Sequence, residues 1–138
     1  MERKPRALIA VQPAALPLLE QMLGDVLDMV PVHTIAEAQA ALERERGRIE
    51  LIVSSLTFSE SRALEFLVAV KSDPHAQAIA FLCCRVLVGI LSENLVASLG
   101  RAAKLCGAAD FVDIGQLPRD QAREALRAAV ARCLAASP

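Results

Sequence analysis

Residues 49–61 read IELIVSSLTFSES: apolar but for Glu50 as far as Val53, then stopped by Ser54 and Ser55. A half-exposed strand would alternate apolar and polar side chains. A near-continuous apolar run is the pattern of a strand covered on both faces, which occurs in parallel sheets flanked by helices. The stretch is therefore predicted to be a central strand, with the serines where it reaches the polar rim of its sheet.

The flanking sequence repeats the theme. RALIAV, residues 6–11, is a second short apolar run, and QPAALPLLEQMLGD follows it. Leu16, Leu19 and Leu23 recur there at helical spacing, widened by Leu18 and Met22. Pro13 and Pro17 fit only near the first turn, and Gly24 is a plausible stop. DMVPVH, residues 28–33, is predicted as an edge strand, because Pro31 lacks the N–H that a central ladder needs. Thr34 followed by Glu37 has the form of a capping box for a helix over 34–47, with Ile35, Ala38, Ala41 and Leu42 inward and Gly47 at its end.

Beyond the opening stretch come a helix over 61–71 with Leu64, Leu67 and Val68 inward, and a turn over 72–77. A strand over 78–84 is followed by a helix over 92–105 with Leu95, Leu99, Ala102 and Ala103 on one side. A strand over 109–114 and a helix over 117–136, with Pro118 in its first turn, complete the chain. Strands alternating with amphipathic helices imply a parallel sheet between two helical layers, with right-handed crossovers. The expected fold is a three-layer α/β domain, flavodoxin-like (βα)5, with a parallel five-stranded sheet in the order 2-1-3-4-5. One domain over 1–138 accommodates it.

Composition excludes several classes. The net charge is −1, from 15 basic and 16 acidic residues, so nothing draws the chain toward nucleic acid. IAFLCCRVLVGIL, the longest apolar candidate, is interrupted by Arg85 and is too short to span a bilayer. The basic start, MERKPRALIAV, carries too short an apolar run for a signal peptide, so no membrane association and a cytoplasmic location are expected. The core must be aliphatic, with four Phe and neither Trp nor Tyr. Cys83, Cys84, Cys106 and Cys133 form no CxxC pair, and no His stands at zinc-like spacing, so buried thiols are expected and no metal or cofactor. His33 and His75 lie in separate segments, and no phosphate-cradling loop occurs: GRAAKLCG is not one.

In open α/β sheets ligands bind beyond the carboxyl ends of the strands. The residues there are Gln12 and Pro13, Ser54 and Ser55, Cys83 and Cys84, and Asp113 to Gly115. At this point RALIAVQPAALPLLEQML, IELIVSSLTFSESRALEFL and GAADFVDIG, in this order and spacing, resemble the receiver domain of two-component response regulators over nearly the whole chain. By that resemblance the acidic pair that holds Mg2+ in a receiver falls on Gln12 and Pro13, and the phosphate-accepting Asp on Ser55. The Thr or Ser after strand 4 falls on Cys83, the Lys after strand 5 on Ile114, and the switch aromatic survives as Phe111.

Receiver chemistry needs a carboxylate nucleophile, a carboxylate-held cation and a positive group facing the transferred phosphoryl. Gln12, Pro13, Ser55 and Ile114 supply none of these. The resemblance therefore implies a degenerate, non-enzymatic pseudo-receiver: a signalling module that binds another protein independently of phosphorylation. VLVGILSEN, residues 86–94, makes the stretch between Cys83 and Gly107 longer than in a typical receiver. It reads either as an extension of strand 4 or helix 4, or as an exposed apolar patch that binds a partner. By the resemblance, helix 4, strand 5 and helix 5 form the signalling and homodimerisation face, so Leu87, Ile90, Leu91 and Leu95 are the expected contacts, with Phe111 packed nearby. A ligand or thiol-redox sensor using a vacated pocket around Gln12, Ser55 and Cys83 is the alternative. Arg119, Arg123 and Arg127 alternate with Asp120 and Glu124, which reads as a solvated face with local ion pairs.

Overall fold

In the structure, a computed structural model, residues 3–136 are described; the ends of the predicted 1–138 domain, residues 1–2 and 137–138, lie outside them. The strands are β1 (Arg6–Ala10), β2 (Asp28–Val32), β3 (Leu51–Ser55), β4 (Ala80–Arg85) and β5 (Asp110–Asp113). They form one parallel sheet in the order β2-β1-β3-β4-β5. The helices are α1 (Leu16–Leu23), α2 (Ile35–Arg44), α3 (Ala63–Lys71), α4 (Glu93–Leu105) and α5 (Arg119–Ala136). A 3-10 turn, Pro13–Ala15, leads into α1. The predicted fold class and strand order both hold, and Pro31 sits on an edge strand.

Every residue of β3 is buried, as its composition requires. Side chains alternate between two cores. Ile9, Leu19, Leu23, Val53, Leu82, Leu126 and Val130 fill the layer under α1 and α5. Leu8, Ile52, Phe66, Leu67, Phe81 and Val96 fill the layer under α2, α3 and α4. In the second layer Phe58, Phe66 and Phe81 pack as tilted pairs, with ring centroids 5.2 and 5.7 Å apart.

Local signals explain the helix ends. Thr34 Oγ1 accepts from the Glu37 N–H at 3.1 Å, and Glu37 Oε1 accepts from the His33 N–H at 2.9 Å. The returning bond of the capping box thus lands one residue before the cap. Ser92 Oγ accepts from the Leu95 N–H and starts α4. Gly47 ends the α2 region with φ +80°, where a Cβ would be strained, whereas Gly24 stays right-handed at φ −62°.

Three predicted faces are corrected. Val68 points to solvent at 50% exposure, and Phe66 and Val70 take the inward positions of α3. In α4, Val96, Gly100 and Ala103 are buried, while Leu95 is 43% exposed. The arginines of α5 do not pair along their own helix: Arg127 reaches Asp25 at 2.6 Å and Arg119 donates to Gln21 Oε1 at 2.8 Å. They tie α5 to α1 and to the turn after it, because α5 lies alongside α1 and its flank faces that end.

Candidate functional site

The carboxyl ends of the strands hold two different arrangements. Over β3, β4 and β5 the crest is closed. Ser55, the last residue of β3, is 1% exposed, and its Oγ lies 3.4 Å from Thr57 Oγ1. Leu56 N–H donates to the Cys84 carbonyl, continuing the ladder past the strand end and holding Ser55 beneath the surface. Ile114 is 4% exposed and belongs to the α1/α5 core. Cys83 is 1% exposed and faces the α2/α3/α4 core beside Ile52 and Phe81.

A pocket shared by Gln12, Ser55 and Cys83 is therefore not formed. Cys83 pairs with Ser54 and Cys84 with Ser55. Successive residues of a strand point to opposite faces, so Ser55 and Cys83 lie on opposite sides of the sheet. Burial also raises the Cys83 thiol, pushing it to about 12, and raises Cys84 still further. Neither is the readily ionised thiol that a redox sensor requires.

Arg85 occupies the crest between β4 and β5. Its side chain is 2% exposed. Nε donates to Asp113 Oδ1 at 2.7 Å and one terminal nitrogen to Asp113 Oδ2 at 3.0 Å. The two terminal nitrogens reach Glu93 at 2.9 and 2.8 Å. One guanidinium thus joins the ends of β4 and β5 to the first residue of α4. Its bond with Arg85 holds the Glu93 carboxyl below its ordinary value, against a smaller opposing effect of burial. Gly115 is required beside this cluster, since a Cβ there would lie 2.6 Å from Arg85 Nε and 2.9 Å from Val88 Cγ1. The sequence offered a weak sign of this residue, a cation ending an apolar strand. Its partners lie eight and 28 positions away, at no recognisable spacing.

Residues 86–92 extend neither β4 nor α4. They form a loop that turns through Gly89 at φ +87°. Val86 is buried and Leu87 and Leu91 pack partly on the cores. Val88 and Ile90 project at 51% and 47% exposure, and Leu95 on α4 lies beyond them at 43%. Of the expected contact residues, Ile90 and Leu95 are presented, Leu87 and Leu91 are anchors, and Val88 was missed. Phe111 is partly buried against the α2/α3/α4 core, with its ring pressed on α4: a Cβ on Gly100 would stand 2.6 Å from its Cδ2.

The second arrangement is an open cleft of about 620 Å3 beyond β1, β2 and β3. Gln12, Pro13, His33, Thr57 and Glu60 line it, and Ile90 reaches its edge from the long loop. Gln12 Oε1 is buried without a hydrogen-bond partner, alone in this among the side-chain oxygens and nitrogens of the described residues. The His33 ring nitrogen Nδ1 lies 2.8 Å from the Val11 carbonyl. Ser59, Glu60 and Ser61 form a left-handed turn, with φ 52, 59 and 63°. Each costs a non-glycine residue roughly 1–2 kcal/mol. Ser59 Oγ accepts from the Ile35 N–H at 3.2 Å, which fastens this turn to α2. The predicted site residues Gln12 and Pro13 belong here; Ser55, Cys83 and Ile114 do not.

No known family profile and no curated protein matches this sequence. Solved structures do match. A response regulator from Hahella chejuensis superposes with TM-score 0.74 at 16% identity, over 99% of this chain and 98% of that one. A phosphorylated cyanobacterial phytochrome response regulator, RcpA, gives 0.72 at 16%, over 99% and 97%. A chemotaxis response regulator, CheY4 of Vibrio cholerae, gives 0.67 at 18%, over 96% and 100%. At these identities the likeness establishes the fold: that of response-regulator receiver domains.

Proposed function

We propose that this receiver-fold chain is a pseudo-receiver, a protein-interaction module of two-component signalling that works without phosphorylation and without catalysis. The observation that carries this reading is the state of the phosphoacceptor position. Ser55 is a neutral hydroxyl, 1% exposed and set behind Thr57, with Gln12 and Pro13 where a receiver's acidic pair would stand. Mg2+ is bound through hard oxygens, usually with one or two carboxylates. Among the described residues no three His, Cys, Asp or Glu side chains cluster as a metal site would need. Arg85, the cation over the ends of β4 and β5, is taken up by Asp113 and Glu93. The output surface is the loop and α4 side, where Val88, Ile90 and Leu95 expose apolar area to another signalling protein or a second copy of the chain.

The test is incubation with acetyl phosphate and Mg2+, read by intact-mass spectrometry and by amide chemical shifts. The expected result is no adduct and no shift at Ser55 or Ile114. Phosphorylation of Ser55, or Mg2+-dependent shifts beside it, would defeat the reading. No observation favours the thiol sensor, since burial raises both Cys83 and Cys84.

A further inference from the structure

We infer that residues 57–62 are a two-state switch: a left-handed turn that holds Phe58 in the core, and an extra right-handed turn of α3 that puts Phe58 out and Ser59 in. This goes beyond the interaction reading and does not rest on it. In the structure Ser59, Glu60 and Ser61 are left-handed, at φ 52, 59 and 63°. The Ser61 and Arg62 N–H groups close this turn on the Thr57 and Phe58 carbonyls at 3.3 and 2.9 Å. α3 then begins behind Arg62, which gives it no side-chain cap and sets a cation at the positive end of the helix. The sequence just upstream encodes a better start. Thr57 followed by Glu60 has the form of a capping box, yet Thr57 caps nothing and its Oγ1 lies 3.4 Å from Ser55 Oγ instead.

In a right-handed helix running back from Ala63, Ser59 would share the buried face, four residues before Ala63 and seven before Phe66, and Phe58 would be turned off it. The left-handed turn reverses these places. Phe58 is wholly buried, its ring centroid 5.2 Å from that of Phe66, and Ser59 Oγ accepts from the Ile35 N–H at the head of α2. Local preference and tertiary packing thus oppose each other over the same short segment. The three left-handed residues and the missing cap weigh against the observed form, by an amount of the order gained on burying one phenylalanine ring. Terms that nearly cancel leave a second form populated as a minor state. Thr57, Ser59, Glu60, Ser61 and Arg62 line the cleft beyond β1, β2 and β3, with Ile90 at its edge. The switch therefore sets the shape of that wall, and a partner that touches one form more closely than the other shifts the balance.

The test is 15N relaxation dispersion on the whole chain, in the parent and in two variants of the exposed Ser61. Residues 57–62 are expected to share one exchange process with the Ile35 amide, which loses the Ser59 hydroxyl in the second form. Ser61→Gly, at ease in left-handed backbone and poor in a helix, should lower the minor population about tenfold. Ser61→Ala, the better helix former, should raise it about twofold. Phe58→Ala removes the ring that anchors the turn, so the right-handed form should become the major one. Small HN–Hα couplings at residues 59–61 and sequential amide contacts unbroken from 58 to 71 would show it. Exchange absent from residues 57–62 in both the parent and Ser61→Ala, a minor population indifferent to Ser61→Gly, or left-handed couplings kept in Phe58→Ala overturns the inference. Should Phe58→Ala fail to fold, the two Ser61 variants decide alone.

Discussion

Ser61 shows how a single residue carries a cost that its contacts do not reveal. It is exposed and left-handed at φ 63°, so its Cβ crowds the backbone, and glycine would relieve this. Ser61→Gly is expected to stabilise the fold by about 1 kcal/mol, read as a higher Tm, whereas an exposed serine in relaxed backbone would lose stability on the same change. The cysteines are ranked by burial in the same way. Cys106 is exposed, and Cys83, Cys84 and Cys133 are buried. An aromatic disulfide reagent should label Cys106 quickly in the native chain and the other three only on unfolding. Rapid native labelling of Cys83 would contradict its raised thiol.

Among the elements, α4 is the one most tightly specified at its start. Ser92 caps it, Glu93 binds Arg85, and Phe111 lies on Gly100. The guanidinium is buried, but Glu93 is 58% exposed and Asp113 37%, so both carboxylates rehydrate if the cation is lost. Arg85→Met should therefore cost less than breaking a fully buried pair, about 1–3 kcal/mol. Hydrogen exchange should accelerate over residues 86–96 and at β5, while β1 and β2 keep their protection. Unchanged exchange in that region would mean that the loop and α4 are held by apolar packing alone. Because Val88, Ile90 and Leu95 ride on these segments, the same variant would also loosen the proposed interaction surface.

Across the whole molecule, acid sensitivity follows from how its carboxylates are paired. Arginine hydrogen bonds lower the carboxyls of Glu45, Glu50 and Glu93 from 4.5, and that of Asp25 from 3.8. A carboxyl whose folded pKa is depressed adds stability above its unfolded value, and this is lost as pH falls through the folded value. Denaturant midpoints should therefore be flat above about pH 5 and fall steadily below about pH 4.5. Most of these pairs are exposed, so added salt should shrink the slope. A midpoint that stays level down to pH 3 would show that the pairs contribute nothing to the folded state.

The order of strands and helices was decided by local and periodic information. The apolar run of β3, the helical spacing of Leu16, Leu19 and Leu23, the Thr34 cap and Pro31 on an edge all act through near neighbours or through one buried face. That Gln12, Pro13 and Ser55, beside the ends of β1 and β3, carry no acidic group was legible for the same reason, since composition at a strand end is local. The faces of α3 and α4 were less so: Val68 and Leu95 are apolar, yet they stand on the solvent side of their helices. Only the tertiary structure decided that Ser55 and Cys83 face opposite sides of the sheet, that Arg85 gathers Asp113 and Glu93, and that the open cleft lies beyond β1, β2 and β3. Each of these depends on register or on loops from different strands meeting at one edge, and no spacing along a chain encodes such a meeting.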